Sequence, residues 1–196
     1  MDYIGLKLDI HAYFNSVSRE KLHQIIDELF EKQQNIKSIG DEVDTDRDKK
    51  LQGIKTSIES MLFNDTVNYN GQLIQEYKSL VPGSPFGSFL ANWVLRELDL
   101  CFMNETYARY SDDIIIIENS KDKIDKDLEI ILKCIGDIGL TINHEKYKWF
   151  SCNDDIEFLG LKLCSNGDID ISDHAKHKIK KQIHRWASKG RVEIEK

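Results

Sequence analysis

Proline is nearly absent, with two residues in 196, both between positions 82 and 85. Together with only eleven glycines, that scarcity excludes collagen-like repeats and Pro/Gly linkers. Long hydrophobic runs are missing too. The longest aliphatic stretch is Ile114-Ile115-Ile116-Ile117, far below the roughly 20 residues a membrane-spanning helix needs. Met1-Asp2-Tyr3 opens no basic segment leading into an apolar one, so no secretion signal is expected. Cysteine is sparse and unpatterned: Cys101, Cys134, Cys152 and Cys164 form no Cys-x-x-Cys pair and adjoin no histidine cluster. Zinc and disulfide frameworks are therefore not expected, and a reducing cytoplasm suits the chain best.

What is present suits a globular protein of one domain, or one and a half. Hydrophobic residues make up 40% and charged residues 31%, enough to bury a core and too apolar for disorder. The net charge of −7 conceals an asymmetry. Residues 1–173 carry −13, whereas 174–191 hold seven Lys/Arg and no acid. An acidic body with a basic C-terminal segment can bind metal at one place and a phosphate backbone at another, although a solvated helix face explains the charge equally well.

Loose alternation from Tyr3 to Ile10 predicts a strand. Ser18 is placed to cap a helix whose apolar face is Leu22, Ile25, Ile26, Leu29 and Phe30. Residues 31–50 are polar, with Asp41, Glu42, Asp44, Asp46 and Asp48 close together, and read as an exposed excursion rather than a metal site. A second helical pattern follows through Leu51, Ile54, Ile58, Met61 and Leu62. The stiff turn Leu80-Val81-Pro82-Gly83-Ser84-Pro85-Phe86-Gly87 opens a helix with Phe89, Leu90, Trp93, Val94 and Leu98. Two β-prone runs around Ser111-Asp112 predict a hairpin. Next comes a helix with Ile124, Leu128, Ile131, Leu132 and Ile135, then short strands near 147–151 and 156–163. A basic helix follows from about Asp173 to Ser188. This order fits an α+β fold: a ferredoxin-like antiparallel sheet with helices on one face over residues 1–172, and the basic helix over 173–196.

Three acids stand out by position. Asp9 ends the first expected strand, and Asp112-Asp113 lies at the hairpin tip. If those strands are neighbours, the acids meet at one sheet edge. Carboxylates so close repel, and the usual remedy is a divalent cation. Mg²⁺ accepts a few carboxylates plus water and phosphate oxygens, and two such ions can activate a 3′-hydroxyl and stabilise a departing pyrophosphate. An Asp-Asp pair alone is more often an ordinary turn, as Asp154-Asp155 is here. Tyr110-Ser111-Asp112-Asp113 before four isoleucines, with Asp9 upstream, is a much rarer combination.

Five successive segments resemble the palm of reverse transcriptases, especially bacterial ones related to group II introns, retrons and phage-defence systems. They are Leu8-Asp9-Ile10-His11-Ala12-Tyr13-Phe14-Asn15-Ser16, Gly83-Ser84-Pro85-Phe86-Gly87-Ser88-Phe89-Leu90-Ala91-Asn92, Tyr110-Ser111-Asp112-Asp113, Gly139-Leu140 with Lys146, and Glu157-Phe158-Leu159-Gly160. The resemblance spans about residues 3–188. It implies an RNA-directed DNA polymerase palm that adds dNTPs to a primer on an RNA template, using two Mg²⁺ ions or Mn²⁺. Asp9 and Asp112 would hold the ions, with Asp113 assisting and the backbone carbonyl of Ile10 completing a shell. Tyr13, Phe14, Gly83 and Ser84 would adjoin the nucleotide, the Phe14 ring excluding a 2′-hydroxyl. Lys146 would serve the leaving pyrophosphate as a cation or general acid. Tyr110 and the turn Phe158-Leu159-Gly160 would support the primer end. Lys176, Lys180 and Arg185, with their basic neighbours, would begin a thumb that contacts phosphates.

Two departures from the family pattern matter. Val81-Pro82-Gly83 stands where many relatives carry Pro-Gln-Gly, and Gly87 stands where serine is usual. Only eight residues precede Asp9, so a truncated, split or degenerate palm is expected, one that works with a fingers-bearing partner chain. Two other readings remain. A non-polymerising relic would bind RNA or protein through the basic helix. A nucleotidyl cyclase would show a Gly-Gly-acid-acid-Phe hairpin, which Tyr110-Ser111-Asp112-Asp113-Ile114 does not resemble.

Overall fold

The strand expected from the Tyr3–Ile10 alternation runs from Ile4 to Asp9 (β1) in the computed structural model, which describes residues 3–35, 45–75, 79–80, 85–103 and 106–194. Helices follow at Tyr13–Ser16 (α1), Arg19–Asn35 (α2) and Thr45–Leu62 (α3), then strands at Thr66–Tyr69 (β2) and Gln72–Gln75 (β3). Next come helices Pro85–Val94 (α4) and Arg96–Cys101 (α5), strands Tyr107–Tyr110 (β4) and Asp113–Glu118 (β5), and helix Lys121–Asp137 (α6). Strands Lys148–Ser151 (β6), Ile156–Phe158 (β7), Leu161–Leu163 (β8) and Ile169–Ile171 (β9) lead into helix Asp173–Ile194 (α7). Ser18 caps α2 as its sequence position predicts, its hydroxyl accepting from the Lys21 N–H at 3.1 Å.

The main sheet has the order β4-β5-β1-β6, with every neighbouring pair antiparallel. Helices connect β1 to β4 and β5 to β6, which gives the expected ferredoxin-like arrangement. The central strand β5 explains the isoleucine run. Ile114 and Ile116 face a core with Leu6 and Leu8 of β1, Leu22 and Ile26 of α2, Leu90 of α4, and Ile124 and Ile131 of α6. Ile115 faces the other way, into a second core with Phe150 and Ile156, where Ile117 and Phe158 also pack. A strand covered on both faces reads as an unbroken apolar run. Burying each such side chain contributes about 1.5–3 kcal/mol.

That second core lies beneath an added three-stranded antiparallel sheet, β7-β8-β9. It depends on Gly5, which is the Cα partner of Phe150 between β1 and β6. A Cβ at position 5 would stand 1.9 Å from Phe150 Cζ, so only glycine lets the ring lie across the strand.

Two readings of the sequence are corrected. Residues 31–50 are not a continuous loop: α2 extends through Asn35 and α3 begins at Thr45, with only 36–44 outside the described residues. Residues 31–33 and 46–50 are exposed, so their polarity marks the solvated faces of these two helices. The stretch 66–75 forms a hairpin that periodicity did not single out. Its signal was local: Asn70-Gly71 takes positive φ at both residues, 51° and 83°, as a two-residue hairpin turn requires.

Candidate active site

Asp9 and Asp113 are directly opposed Cα partners at the ends of β1 and β5. Their neighbours Leu8 and Ile114 point into the helix-side core, so both carboxylates leave the sheet on the opposite face. Asp9 is 7% exposed. The hairpin turn brings Asp112 beside them, its carbonyl accepting from the Ile10 N–H at 3.1 Å. Asp9 and the sequence-distant pair Asp112-Asp113 thus reach one sheet rim.

The chain after α6 crosses the same rim. Ile10 bridges Ile142, the His11 N–H donates to the Thr141 carbonyl at 2.8 Å, and the Asn143 N–H donates to the Asp9 carbonyl at 2.8 Å. A 3-10 turn at His144–Lys146, capped by the Asn143 side chain, then presents Lys146. Its Nζ donates to Asp9 Oδ2 at 2.8 Å. That hydrogen bond raises the lysine pKa above its ordinary value; partial burial opposes the rise, and the charges of Asp9, Asp112 and Asp113 add to it. Lys7 supplies a second ammonium, 3.4 Å from Asp113 Oδ1.

Among the described residues, no group of three acid, histidine or cysteine side chains is already drawn together around an ion position. Carboxylates at this density repel one another, and here Asp9 and Asp113 are each turned to a lysine. The donor set nevertheless fits a hard divalent cation: every candidate ligand is an oxygen, and the two ammonium groups occupy places where positive charge is needed.

Arg109 holds the turn that carries Asp112. Its side chain is 6% exposed. Nε and Nη2 grip Asp99 at 2.8 and 2.5 Å, while Nη1 reaches the Ser111 carbonyl at 3.0 Å and Asn92 Oδ1 at 3.3 Å. The Tyr107 hydroxyl donates to the same Asp99 at 2.8 Å. One guanidinium therefore ties the hairpin tip to α4 and α5. Ser111 itself sits at φ 55°, a conformation that costs a non-glycine residue energy and persists only under such support.

The remaining expected site residues divide. Tyr13 is corrected: it is 1% exposed, and its hydroxyl donates to the Ala91 carbonyl, so it is a core residue with no surface to offer a nucleotide. Phe14 is half-buried beside it, edge-on at 5.7 Å. Gly83 and Ser84 lie outside the described residues. Tyr110 is opposite Asp113 in register and 65% exposed. Phe158 packs in the second core, and Leu159-Gly160 forms the β7–β8 turn with φ of 52° and 79°. Lys176 pairs with Asp170 at 2.5 Å near the start of α7, and Lys180 and Arg185 are exposed on the same helix. Lys7, Asp99 and Arg109 were missed in the sequence. Lys7 alone carried a signal, a cation between two core leucines on the face shared with Asp9.

Asp9 and Asp113 lie at strand ends on the face turned away from the helices. A cavity of about 350 Å³ lies instead on the helix side, lined in part by Ile25, Trp93, Leu98 and Ile138, and contains none of these acids. No helix among the described residues is long and apolar enough to cross a membrane.

A sequence model of the family described as "Reverse transcriptase (RNA-dependent DNA polymerase)" matches residues 2–163. The chain is 32% identical over 139 residues to the retron Ec73 reverse transcriptase of Escherichia coli, an alignment covering 61% of this chain and 43% of that protein. It is 38% identical over 87 residues to the enzymatic polyprotein of soybean chlorotic mottle virus, covering 39% and 12%. It therefore spans less than half the length of these curated relatives. In fold it is similar to telomerase from Candida albicans, solved with a fragment of telomeric RNA, with TM-score 0.62 at 15% identity over 87% of this chain and 30% of that one. Apo telomerase from Candida tropicalis, truncated from its C-terminal domain, gives 0.59 at 17% identity, covering 87% and 36%.

Proposed function

This chain belongs to the reverse transcriptase (RNA-dependent DNA polymerase) family, and from that membership we propose that it is the palm of an RNA-directed DNA polymerase, extending a primer 3′-hydroxyl with dNTPs on an RNA template. Residues 1–172 form the palm and 173–196 begin a thumb. Asp9 and Asp112 hold two Mg²⁺ ions, or Mn²⁺, with Asp113 and the Ile10 carbonyl assisting. Those ions supply activation of the hydroxyl and charge stabilisation of the departing pyrophosphate. Lys146 provides a proton or positive charge to that leaving group. Phe14 lies beneath the sugar, Gly83 and Ser84 approach the templating pair, and Tyr110 with Phe158-Leu159-Gly160 supports the primer end. Lys176, Lys180 and Arg185 meet nucleic-acid phosphates. A fingers-bearing partner chain completes the triphosphate site, and cysteine usage supports a cytoplasmic setting.

The observation that supports this reading most is the opposition of Asp9 and Asp113 with Asp112 hydrogen-bonded alongside. Nothing in nucleic-acid binding alone asks for clustered acids. Primer extension on an RNA template in Mg²⁺ or Mn²⁺, with and without a fingers-bearing partner, tests it. Extension that survives Asp112→Asn combined with Asp113→Asn would overturn the assignment.

One observation favours the second reading, a non-polymerising relic that binds RNA or protein. Lys146 and Lys7 already neutralise Asp9 and Asp113 without any ion. Thermal stability that does not change across a Mg²⁺ or Mn²⁺ titration, together with absent extension, would support it.

A further inference from the structure

We infer that Lys7 is a positioning residue of the acid rim, acting through Asp113; the inference rests on the polymerase reading above. Lys7 precedes Asp9 by two residues on β1, so their side chains leave the same face of the sheet. Its ammonium lies 3.4 Å from Asp113 Oδ1 and 5.4 Å from the centre of the Phe158 ring. At 3.4 Å the contact is long for a hydrogen bond, so attraction between charges dominates it. The Lys7 and Asp113 side chains are 24% and 30% exposed, so solvent screens that attraction only in part.

The two lysines are not equivalent. Lys146 is 60% exposed on a 3-10 turn, and an arriving cation can displace it from Asp9 into water. Lys7 is 24% exposed, with its ammonium beside both Asp113 and the Phe158 ring, so it has less open solvent to move into. It therefore stays with Asp113 when ions bind, which leaves Asp113 with less charge to offer and makes Asp9 and Asp112 the principal ligands. The same ammonium ties Asp113 to the end of β7, where the Leu159-Gly160 turn begins. One side chain thereby sets the ion site in register with the segment assigned to the primer end.

Mn²⁺ binding to the 196-residue chain, followed by electron paramagnetic resonance without nucleotide, reads this independently of catalysis. Lys7→Met removes the charge and keeps an apolar stem with sulfur against Phe158; Lys7→Gln is a second charge-removing variant should the first melt. The expected result is Mn²⁺ binding about three- to tenfold tighter, the scale of deleting one nearby unit charge in a partly screened site. Primer extension falls at the same time, and Lys7→Arg restores both values. In an Asp113→Asn background, Lys7→Met gives a clearly smaller gain, because only the direct repulsion between the ammonium and the ion is then removed. Unaltered affinity in the single variants, or an equal gain in the Asp113→Asn background, overturns the inference while the polymerase reading stands. A wild-type chain that binds no Mn²⁺ overturns both, and does so before any substitution is made.

Discussion

Lys146 donates a 2.8 Å hydrogen bond to Asp9 across 137 positions of sequence. The contact exists because the segment after α6 folds back over the end of β1, with backbone hydrogen bonds at the Asp9 carbonyl and the His11 N–H. Its immediate consequence is a lysine whose pKa is raised by the acid that holds it.

That shift fixes the pH behaviour of the pair. A raised lysine pKa means the charged form is whole below the ordinary value of 10.5 and is lost only as pH rises through the higher folded-state value. Lys146 therefore stays protonated throughout the neutral range. Lys146→Met is expected to lower the extension rate about a hundredfold, as loss of a general acid does. The deficit should be constant across roughly pH 6 to 9, measured as parallel pH–rate profiles. Lys146 is 60% exposed but its partner Asp9 only 9%, so the melting temperature should fall modestly, and the profiles are taken where both proteins are folded.

Gly5→Ala is expected to destabilise the fold by about 1–3 kcal/mol, since its Cβ would collide with the Phe150 ring at 1.9 Å. Phe150→Leu should recover part of that loss by vacating the space over the strand. Urea unfolding of both single variants and the double variant measures the coupling, which a purely local effect at position 5 would not produce.

Arg109→Met leaves Asp99, the Ser111 carbonyl and Asn92 without their shared donor. The expected cost is about 2–3 kcal/mol, limited because Asp99 is 39% exposed and can be rehydrated. Arg109→Lys should recover little, as an ammonium cannot reproduce the two-pronged grip on Asp99 while reaching Ser111. Extension should fall further than stability alone explains, because the turn carrying Asp112 is released. Single-turnover rates at a temperature where both variants are folded separate the two effects.

Leu159 offers a test in the opposite direction. It is 48% exposed and sits at φ 52°, where a leucine side chain gains little burial and the backbone is strained. Leu159→Gly should stabilise the protein by up to about 1 kcal/mol by relieving that strain. If the turn supports the primer end, the same change should raise the KM for primer-template. Thermal melts and steady-state extension measure the two outcomes.

The parts of the fold legible in the sequence are those with strong local periodicity. β1, the β4–β5 hairpin, α2 and α6 show their apolar faces in the spacing of Leu, Ile and Val, and α7 shows itself by charge. The β2–β3 hairpin escaped because four-residue strands carry too little alternation, leaving only Asn70-Gly71 as a signal. Tyr13 was misread for a different reason. Its place in the motif put it near the nucleotide, while burial among α4 residues, which no local pattern encodes, put it in the core.

Sequence alone determined which atoms are available: Asp9 at a strand end, Asp112 and Asp113 at a turn, and an isoleucine run that only a doubly covered strand can satisfy. Only tertiary structure decided what those atoms meet. Lys7 and Lys146 became counter-charges, Lys176 met Asp170, and Arg109 became a brace, because Coulomb attraction and desolvation depend on separations through space. Those separations are set by strand register and chain crossing, and neither is written in the local order of residues.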